Sequence, residues 1–332
     1  MTFPVELTKS AKSATELNLY SIFDIDNLFD GYLSARKHKR NKKAIYAFEK
    51  IVGSELEALS IELRNKTYKP RAYRTFKIYE PKERVIVAPA FRDSIVQHTI
   101  YNLVYDAFDR SFIHDNYGCR KGKGTHKASQ KLQDSMRCYP NEKYYLQMDI
   151  RKYYYSVNHK ILRDRISRII KDDDLVNLIM LFVNDENEVG LYVGNVLSQL
   201  FGLIYLDRVD HYIKRVLKKK HYVRYVDDFI IVGIEYEEAK NIKENIEKYL
   251  WDNLELKLSK FRIAKIKAGC NFVGFRTWKS VKFIRKRSLH NFSKALKKDN
   301  KLSLSSILGN AKHSSSHKYM INKIKEKHDI QI

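Results

Sequence analysis

The chain has little of what marks a secreted, fibrous or membrane-spanning protein. Cys119, Cys138 and Cys270 are its only cysteines in 332 residues, and no two stand at Cys-x-x-Cys spacing. That argues against a disulfide framework or a cysteine-built zinc site and fits a reducing, cytoplasmic setting. With 5 prolines and 12 glycines, flexible linkers are few, and no internal repeat is present. No segment approaches the roughly 18 uninterrupted apolar residues of a membrane-crossing helix, and the opening residues carry no secretory-signal pattern. Acidic residues are also in deficit, 39 against 63 basic, for a net charge of +24. Solubility needs far less. The excess points to a polyanion, nucleic acid first, because phosphate neutralisation supplies most non-specific binding; a basic membrane-surface protein is the alternative. Hydrophobic residues, by contrast, make up 44%, enough for a sizeable core and too many for wholesale disorder. The length suits one large domain or two to three smaller ones.

Helical and extended patterns alternate along the chain. Residues 1 to about 70 read as helical and basic, with Leu17, Tyr20, Phe23, Leu28 and Tyr32, then Ile45, Phe48, Leu56 and Leu59, at helix-like spacing. Between them runs Arg36-Lys37-His38-Lys39-Arg40-Asn41-Lys42-Lys43, either a solvated face or a polyanion contact. Residues 73–89 are strand formers interrupted by Glu80-Pro81-Lys82-Glu83-Arg84, so a hairpin with Lys82 and Arg84 near its tip is expected. A helix follows over 91–109 and includes Arg92. In Tyr117-Gly118-Cys119-Arg120-Lys121-Gly122-Lys123-Gly124, glycines alternate with cations. Such a loop suits phosphate contact, or is a plain surface turn; it lacks the P-loop spacing.

Residues 143–150 alternate cleanly: Tyr144, Leu146, Met148 and Ile150 on one face, Tyr145, Gln147 and Asp149 on the other. Asp149 therefore ends a half-buried strand on its polar face. Tyr153-Tyr154-Tyr155 follow, then a helix from an Asn158 N-cap. Val193-Gly194-Asn195-Val196-Leu197-Ser198-Gln199 opens another helix that runs to about 217. Next comes Arg224-Tyr225-Val226-Asp227-Asp228-Phe229-Ile230-Ile231-Val232, in which two adjacent carboxylates interrupt a run of β-branched and aromatic residues. A hairpin with Asp227 and Asp228 at or beside its tip is the simplest geometry. Acids held that close repel unless a cation neutralises them, and Mg²⁺ takes such hard oxygen ligands; the bland reading is an exposed turn. A helix over 237–250, a short basic stretch over 254–266, a tight strand–turn over 271–275 and a Lys-rich, partly helical tail complete the chain.

Asp149 at a strand end, Gly194-x-x-x-Ser198 and Tyr225-Val226-Asp227-Asp228, in that order, resemble the palm motifs of reverse transcriptases. The Arg120–Gly124 loop lies where that family keeps a fingers motif, and Phe272-Val273-Gly274-Phe275 where it has its primer grip. The resemblance spans roughly residues 20–330 and implies an α+β right-hand polymerase. Its fingers and a basic helical extension would occupy 1–143, its palm of antiparallel sheet plus helices 144–275, and a short basic helical thumb 276–332. Phosphoryl transfer to a primer hydroxyl needs in-line geometry and charge neutralisation rather than covalent help. The resemblance accordingly implies two Mg²⁺ ions, with Mn²⁺ as a substitute, held by Asp149, Asp227, Asp228 and the Ile150 carbonyl. By the same resemblance, Lys82, Arg84 and Arg120 grip the triphosphate, and Tyr154 stands at the steric gate (a core tyrosine being the alternative). Val193, Gly194, Ser198 and Gln199 border the nucleotide. Arg92, Lys121, Lys123, Phe272, Gly274, Lys282, Arg285 and Lys286 contact nucleic acid; for the basic tail the alternative is a solvated helix face. Template RNA, primer with its cDNA and dNTPs are the implied partners.

Two departures refine the resemblance. Most reverse transcriptases carry Gln-Gly-x-x-x-Ser-Pro, whereas here Val193 replaces the Gln and Gln199 the Pro. Together with Tyr79-Glu80-Pro81-Lys82, Gln97-His98 and Ser198-Gln199-Leu200-Phe201, this is similar to the enzymes of diversity-generating retroelements. Those copy a template-repeat RNA, misincorporate opposite adenine and act with a small basic accessory protein. Loss of the Gln amide removes a hydrogen-bonding group beside the nucleotide, so discrimination is expected to fall. The family's pyrophosphate-protonating lysine has no clean match among Lys257, Lys260 and Lys265. The competing functions are a retron-like or abortive-infection reverse transcriptase of phage defence and, from another class, a non-catalytic RNA-binding scaffold.

Overall fold

A computed structural model describes residues 17–79, 83–183 and 187–329. In chain order the elements are α1 (Leu19–Ile22), α2 (Ile25–Arg36), α3 (Lys43–Glu49), α4 (Val52–Arg64), β1 (Arg74–Ile78), β2 (Arg84–Ala88), α5 (Phe91–Asp109), α6 (Thr125–Arg137) and β3 (Tyr144–Ile150). Then follow α7 (His159–Ser167), α8 (Asp173–Met180), α9 (Val196–His211), β4 (Tyr222–Tyr225), β5 (Asp228–Ile234), α10 (Tyr236–Leu254) and β6 (Leu258–Lys265). The chain closes with β7 (Cys270–Phe272), β8 (Phe275–Thr277), β9 (Lys282–Ile284), α11 (Lys286–Lys297), α12 (Lys301–Ala311) and α13 (Ser316–Asp329). This is an α+β protein. Among the described residues no helix is long and apolar enough to cross a membrane.

The chain divides into two compact units. One holds residues through Phe112, Lys152–Arg208 and Asp252–Leu256. Its α2 crosses α5 so closely that a Cβ on Gly31 would lie 2.0 Å from Thr99 Oγ1; only glycine fits there. β1 and β2 form the expected hairpin, in register from Arg74↔Ala88 to Ile78↔Arg84. Asn158 caps α7 as expected, its Oδ1 accepting from the Ile161 N–H at 3.1 Å. The basic run 36–43 is the connection between α2 and α3, and residues 37–42 are exposed.

The second unit holds Ile113–Arg151, Val209–Trp251 and Lys257–Ile332. Its main sheet is four-stranded and antiparallel, in the order β4-β5-β3-β6. β3 sits inside, flanked by β5 and β6, which fixes Asp149 at the inner end of a rigid strand. Ala128, Leu132 and Met136 of α6 pack with Tyr145, Val223, Ile230 and Val232 into one fully buried cluster. Tyr145 departs from the expected alternation. It stands on the polar face yet is 0% exposed, because that face is covered there and its hydroxyl donates to the Gly269 carbonyl at 3.1 Å. A smaller sheet, β7-β8-β9, joins α11, α12 and α13 around Phe275, Ile284, Phe292, Leu304 and Met320. The tail is thus not wholly helical: Lys282 belongs to β9, and Arg285 is the N-cap residue of α11.

Candidate active site

Strand pairing and one hairpin turn bring Asp149, Asp227 and Asp228 together. Asp149, one residue from the end of β3, is the direct Cα partner of Asp228, the first residue of β5. Tyr225 pairs with Asp228 across the β4–β5 hairpin, leaving Val226 and Asp227 as a two-residue tip. Ile150 N–H donates to the Asp227 carbonyl at 3.3 Å, so the tip is stitched to the end of β3. The hairpin with both acids at or beside its tip is as the sequence implies.

The carboxylates are held by their neighbours. Asp228 accepts from Gln147 Nε2 at 2.9 and 3.2 Å, one contact on each oxygen, and the same amide donates to the Asn271 carbonyl at 3.1 Å. Asp149 Oδ2 accepts from Ser259 Oγ at 3.1 Å and pairs with Lys260 Nζ at 3.3 Å. Burial pushes the Asp228 carboxyl up to about 7; the Gln147 hydrogen bond opposes this, while the negative charges of Asp149 and Asp227 add to it and Arg285 subtracts.

Both Asp149 and Asp228 open into a cavity of about 830 Å³. Lys260 and Arg262 of β6 line one part of it, and Arg285, Lys286 and Arg287 at the start of α11 another. Arg276 also lines it, its guanidinium 4.8 Å from the centroid of the Trp278 ring. The result is an acid floor in a basic, partly aromatic trough.

Three carboxylates and no soft ligand make a donor set that fits a hard divalent cation. Among the described residues no three acidic, His or Cys side chains already close on a common point.

The other residues singled out by sequence fall in varied places. Arg120 turns back on its own loop, Nη1 donating to the Ile113 carbonyl at 2.6 Å and the Asn116 carbonyl at 3.2 Å. Lys123 Nζ donates to the His114 carbonyl at 2.9 Å, while Lys121 is exposed. Gly274 (φ +91) shares the two-residue β7–β8 turn with Val273. Phe272 is 0% exposed, its ring in the core. Lys282 is half-buried, its Nζ donating to Gln130 Oε1 at 3.1 Å.

In the first unit, Arg84 is exposed on β2, and Lys82 lies outside the described residues. Arg92 is 6% exposed, its Nε donating to Glu55 at 3.1 Å and its two terminal nitrogens to Glu62 at 2.9 and 2.8 Å, so two carboxylates already balance its charge. Tyr154 sits in a 3₁₀ turn (Tyr153–Tyr155) over the α9 backbone: a Cβ on Gly202 would lie 3.5 Å from its hydroxyl. The Val193 carbonyl accepts from Val87 N–H at 2.8 Å. Gly194 (φ +135) lies so near β2 that a Cβ would be 2.9 Å from Ile86. Asn195 Oδ1 accepts from Ser198 N–H at 2.6 Å at the start of α9. The Ser198 side chain is buried (2% exposed) and its hydroxyl has no hydrogen-bond partner, so Ser198 belongs to the helix start, while Gln199 is exposed.

Sequence reasoning misses the site contacts of Gln147, Ser259 and Asn195, and weighs Lys260 only as a candidate for protonating pyrophosphate. Gln147 carries a signal, two residues before Asp149 on the same polar face; Ser259 carries none, since the 254–266 stretch reads as short and basic and not as a strand.

Residues 73–277 match the family described as reverse transcriptase (RNA-dependent DNA polymerase). Protein YkfC of Escherichia coli (strain K12) is 27% identical, over 70% of this chain and 72% of that protein. A putative COX1/OXI3 intron 2 protein of Saccharomyces cerevisiae is 21% identical, over 66% of this chain and 34% of that protein. Among solved structures, telomerase from Candida albicans in complex with a TWJ fragment of telomeric RNA aligns with a TM-score of 0.51 at 11% identity, covering 79% of this chain and 56% of that one. The likeness to telomerase is one of fold, a polymerase fold. The chain spans about a third of the yeast protein and just over half of the telomerase chain.

Proposed function

The chain belongs to the reverse transcriptase (RNA-dependent DNA polymerase) family, and on that premise we propose that it copies an RNA template into DNA at the acid floor of the trough. The observation that carries this reading is the pairing of Asp149 with Asp228 beside the Asp227 tip, facing Arg285, Lys286 and Arg287 across one cavity. Asp149, Asp227 and Asp228, with the Ile150 carbonyl, are the residues that would hold divalent cations, two Mg²⁺ with Mn²⁺ as a substitute. Such cations, when bound, neutralise the transferring phosphates and lower the pKa of the attacking hydroxyl. The protein's own share is orientation. Gln147 fixes the Asp228 carboxylate, and the basic start of α11 attracts the phosphates of a primer–template duplex. Lys82, Arg84 and Gln199 are proposed to contact the triphosphate, and Lys121 the nucleic acid. Tyr154, stacked over Gly202, is proposed to exclude a 2′-hydroxyl. Tyr154→Ala is then expected to raise ribonucleotide incorporation about 10–100-fold, the range a lost steric contact gives; unchanged sugar selection contradicts the role.

The finer reading is synthesis of cDNA from a template-repeat RNA in a diversity-generating retroelement, with errors at adenines, a small basic accessory protein as partner and a cytoplasmic location. It is supported by Val193, an aliphatic residue where most relatives carry Gln, whose backbone is tied to β2 through Val87. The test is primer extension on RNA with Mg²⁺ and dNTPs, comparing wild type with Asp227→Asn/Asp228→Asn and sequencing the product. Extension by wild type alone supports the polymerase, and errors concentrated opposite adenine support the finer reading. Accurate copying moves the role to a retron-like or defence enzyme. Equal biological function in the double variant points to a binding scaffold.

A further inference from the structure

The tip of the β4–β5 hairpin is strained. Val226 holds φ +59, a left-handed region where hairpins normally place Gly, Asn or Asp and where a β-branched side chain is a true outlier. Such a conformation persists only when its surroundings over-determine it. Here they do, through a buried ion pair. Arg224 and Asp210 are both 0% exposed. Arg224 Nε and Nη2 donate to the two Asp210 oxygens at 2.7 and 2.6 Å, and Tyr222 Oη donates to the first of them at 2.6 Å. The remaining terminal nitrogen, Nη1, reaches past its own strand and donates to the Val226 carbonyl at 2.8 Å. A second element backs the tip. Asp115–Tyr117 runs beside β4, Tyr117 N–H donating to the Arg224 carbonyl at 2.9 Å and Arg224 N–H to the Asp115 carbonyl at 3.0 Å. Gly118 then packs so tightly that a Cβ there would stand 2.5 Å from the Val226 nitrogen.

Charge balance alone needs only the two Asp210 contacts. The third is spent on the one carbonyl that precedes Asp227. A guanidinium with two nitrogens locked on a carboxylate has no freedom left to swing, so its third direction is fixed. Resting on the polymerase reading above, we propose that Arg224, locked by Asp210, is a positioning residue: it clamps the Val226 carbonyl and thereby sets the direction in which Asp227 and Asp228 present their carboxylates. Gly118 is the second jaw of the clamp, since nothing larger lets the backing segment lie against the tip.

A buried ion pair replaced by apolar residues of similar size often leaves stability intact, and that separates positioning from support. The experiment compares wild type, Arg224→Lys, Arg224→Met/Asp210→Leu and Gly118→Ala by thermal unfolding, by primer extension (kcat and KM for primer–template), and by Mn²⁺ affinity from electron paramagnetic resonance without nucleotide. The double variant is expected to keep its melting temperature within a few degrees and its KM, yet to lose about 10–100-fold in kcat and to bind Mn²⁺ several-fold more weakly. Arg224→Lys, which keeps the charge but loses the fork, is expected to fall in kcat without rescue. Wild-type kcat and Mn²⁺ affinity in a folded double variant overturn the proposal. If that variant does not fold, Gly118→Ala decides: the same joint loss supports the clamp, and unchanged values in both readouts overturn it. If wild type extends no primer, the polymerase reading fails, while the Mn²⁺ comparison still decides the clamp.

Discussion

At the scale of single residues, Asp228 shows how a site can be set against its own stability. Its carboxyl, about 3.9 in an unfolded chain, is raised to about 7 by burial and by the neighbouring acids. The folded, cation-free protein therefore binds a proton that the unfolded chain has lost. The stability this proton gives is full below about pH 4 and disappears as pH rises through about 7. Asp228→Asn removes the penalty at pH 8 but not the hydrogen bond to Gln147. With chelator present, that variant is expected to unfold at a higher temperature than wild type at pH 8, by an amount equivalent to roughly 2 kcal/mol after discounting for solvent access. At pH 4 the two should nearly coincide, and extension should be lost at any pH. A lower melting temperature at pH 8 contradicts this account of Asp228. The three acids were legible in sequence because each signal was local: alternation along 143–150 for Asp149, and two acids inside a strand-forming run for Asp227 and Asp228. The surroundings of Arg92 and Phe272 are not legible locally, because they depend on distant partners. Glu55 and Glu62 neutralise Arg92 from another helix, and the cluster around Cys270 and Val232 buries Phe272.

At the scale of elements, the start of α9 carries the family motif, yet its geometry rests on a residue the motif leaves variable. Asn195 caps the helix by accepting from Ser198 N–H at 2.6 Å. Asn195→Ala is expected to cost about 1 kcal/mol and to lower the melting temperature by roughly 2–4 °C. If Val193 and Gly194 are held in place by this cap, the KM for dNTP should rise as well. A stability loss with unchanged KM limits the cap to folding. Among strands, β6 is hard to read from sequence because Leu258–Lys265 is Leu-Ser-Lys-Phe-Arg-Ile-Ala-Lys, basic and with half its residues exposed. Those are the features of an edge strand that guards its free side with charge, and they imitate a loop. β9 is equally hard to see for a related reason: a three-residue strand amid lysines carries no period of its own. The β4–β5 hairpin and the β1–β2 hairpin were legible because β-branched runs flank a polar interruption in both.

At the scale of the whole molecule, a net charge of +24 predicts how the protein meets its substrate. With about 6–10 phosphate contacts, affinity for a primer–template should fall about 10³–10⁵-fold between 50 and 200 mM salt. Arg285→Ala/Lys286→Ala should flatten that salt dependence by about two ion equivalents. A salt slope indifferent to these two residues would remove the start of α11 from the interface. The fold class and the order of the motifs were readable in the sequence. The trough was not, because β6, β9 and the start of α11 reach the acids only through pairing and packing that local pattern does not encode.

Asp149, paired with Asp228 at the end of β3, is proposed to serve RNA-templated DNA synthesis and not the binding of RNA. The most direct measurement takes wild type and Asp149→Asn, determines the affinity of each for an RNA template annealed to a DNA primer, and follows extension on the same samples with Mg²⁺ and dNTPs. Binding is expected to agree within about twofold, since the trough keeps its arginines and lysines, and extension to fall by at least about 10³-fold, the scale of a lost catalytic electrostatic group. Equal extension by both proteins would contradict it.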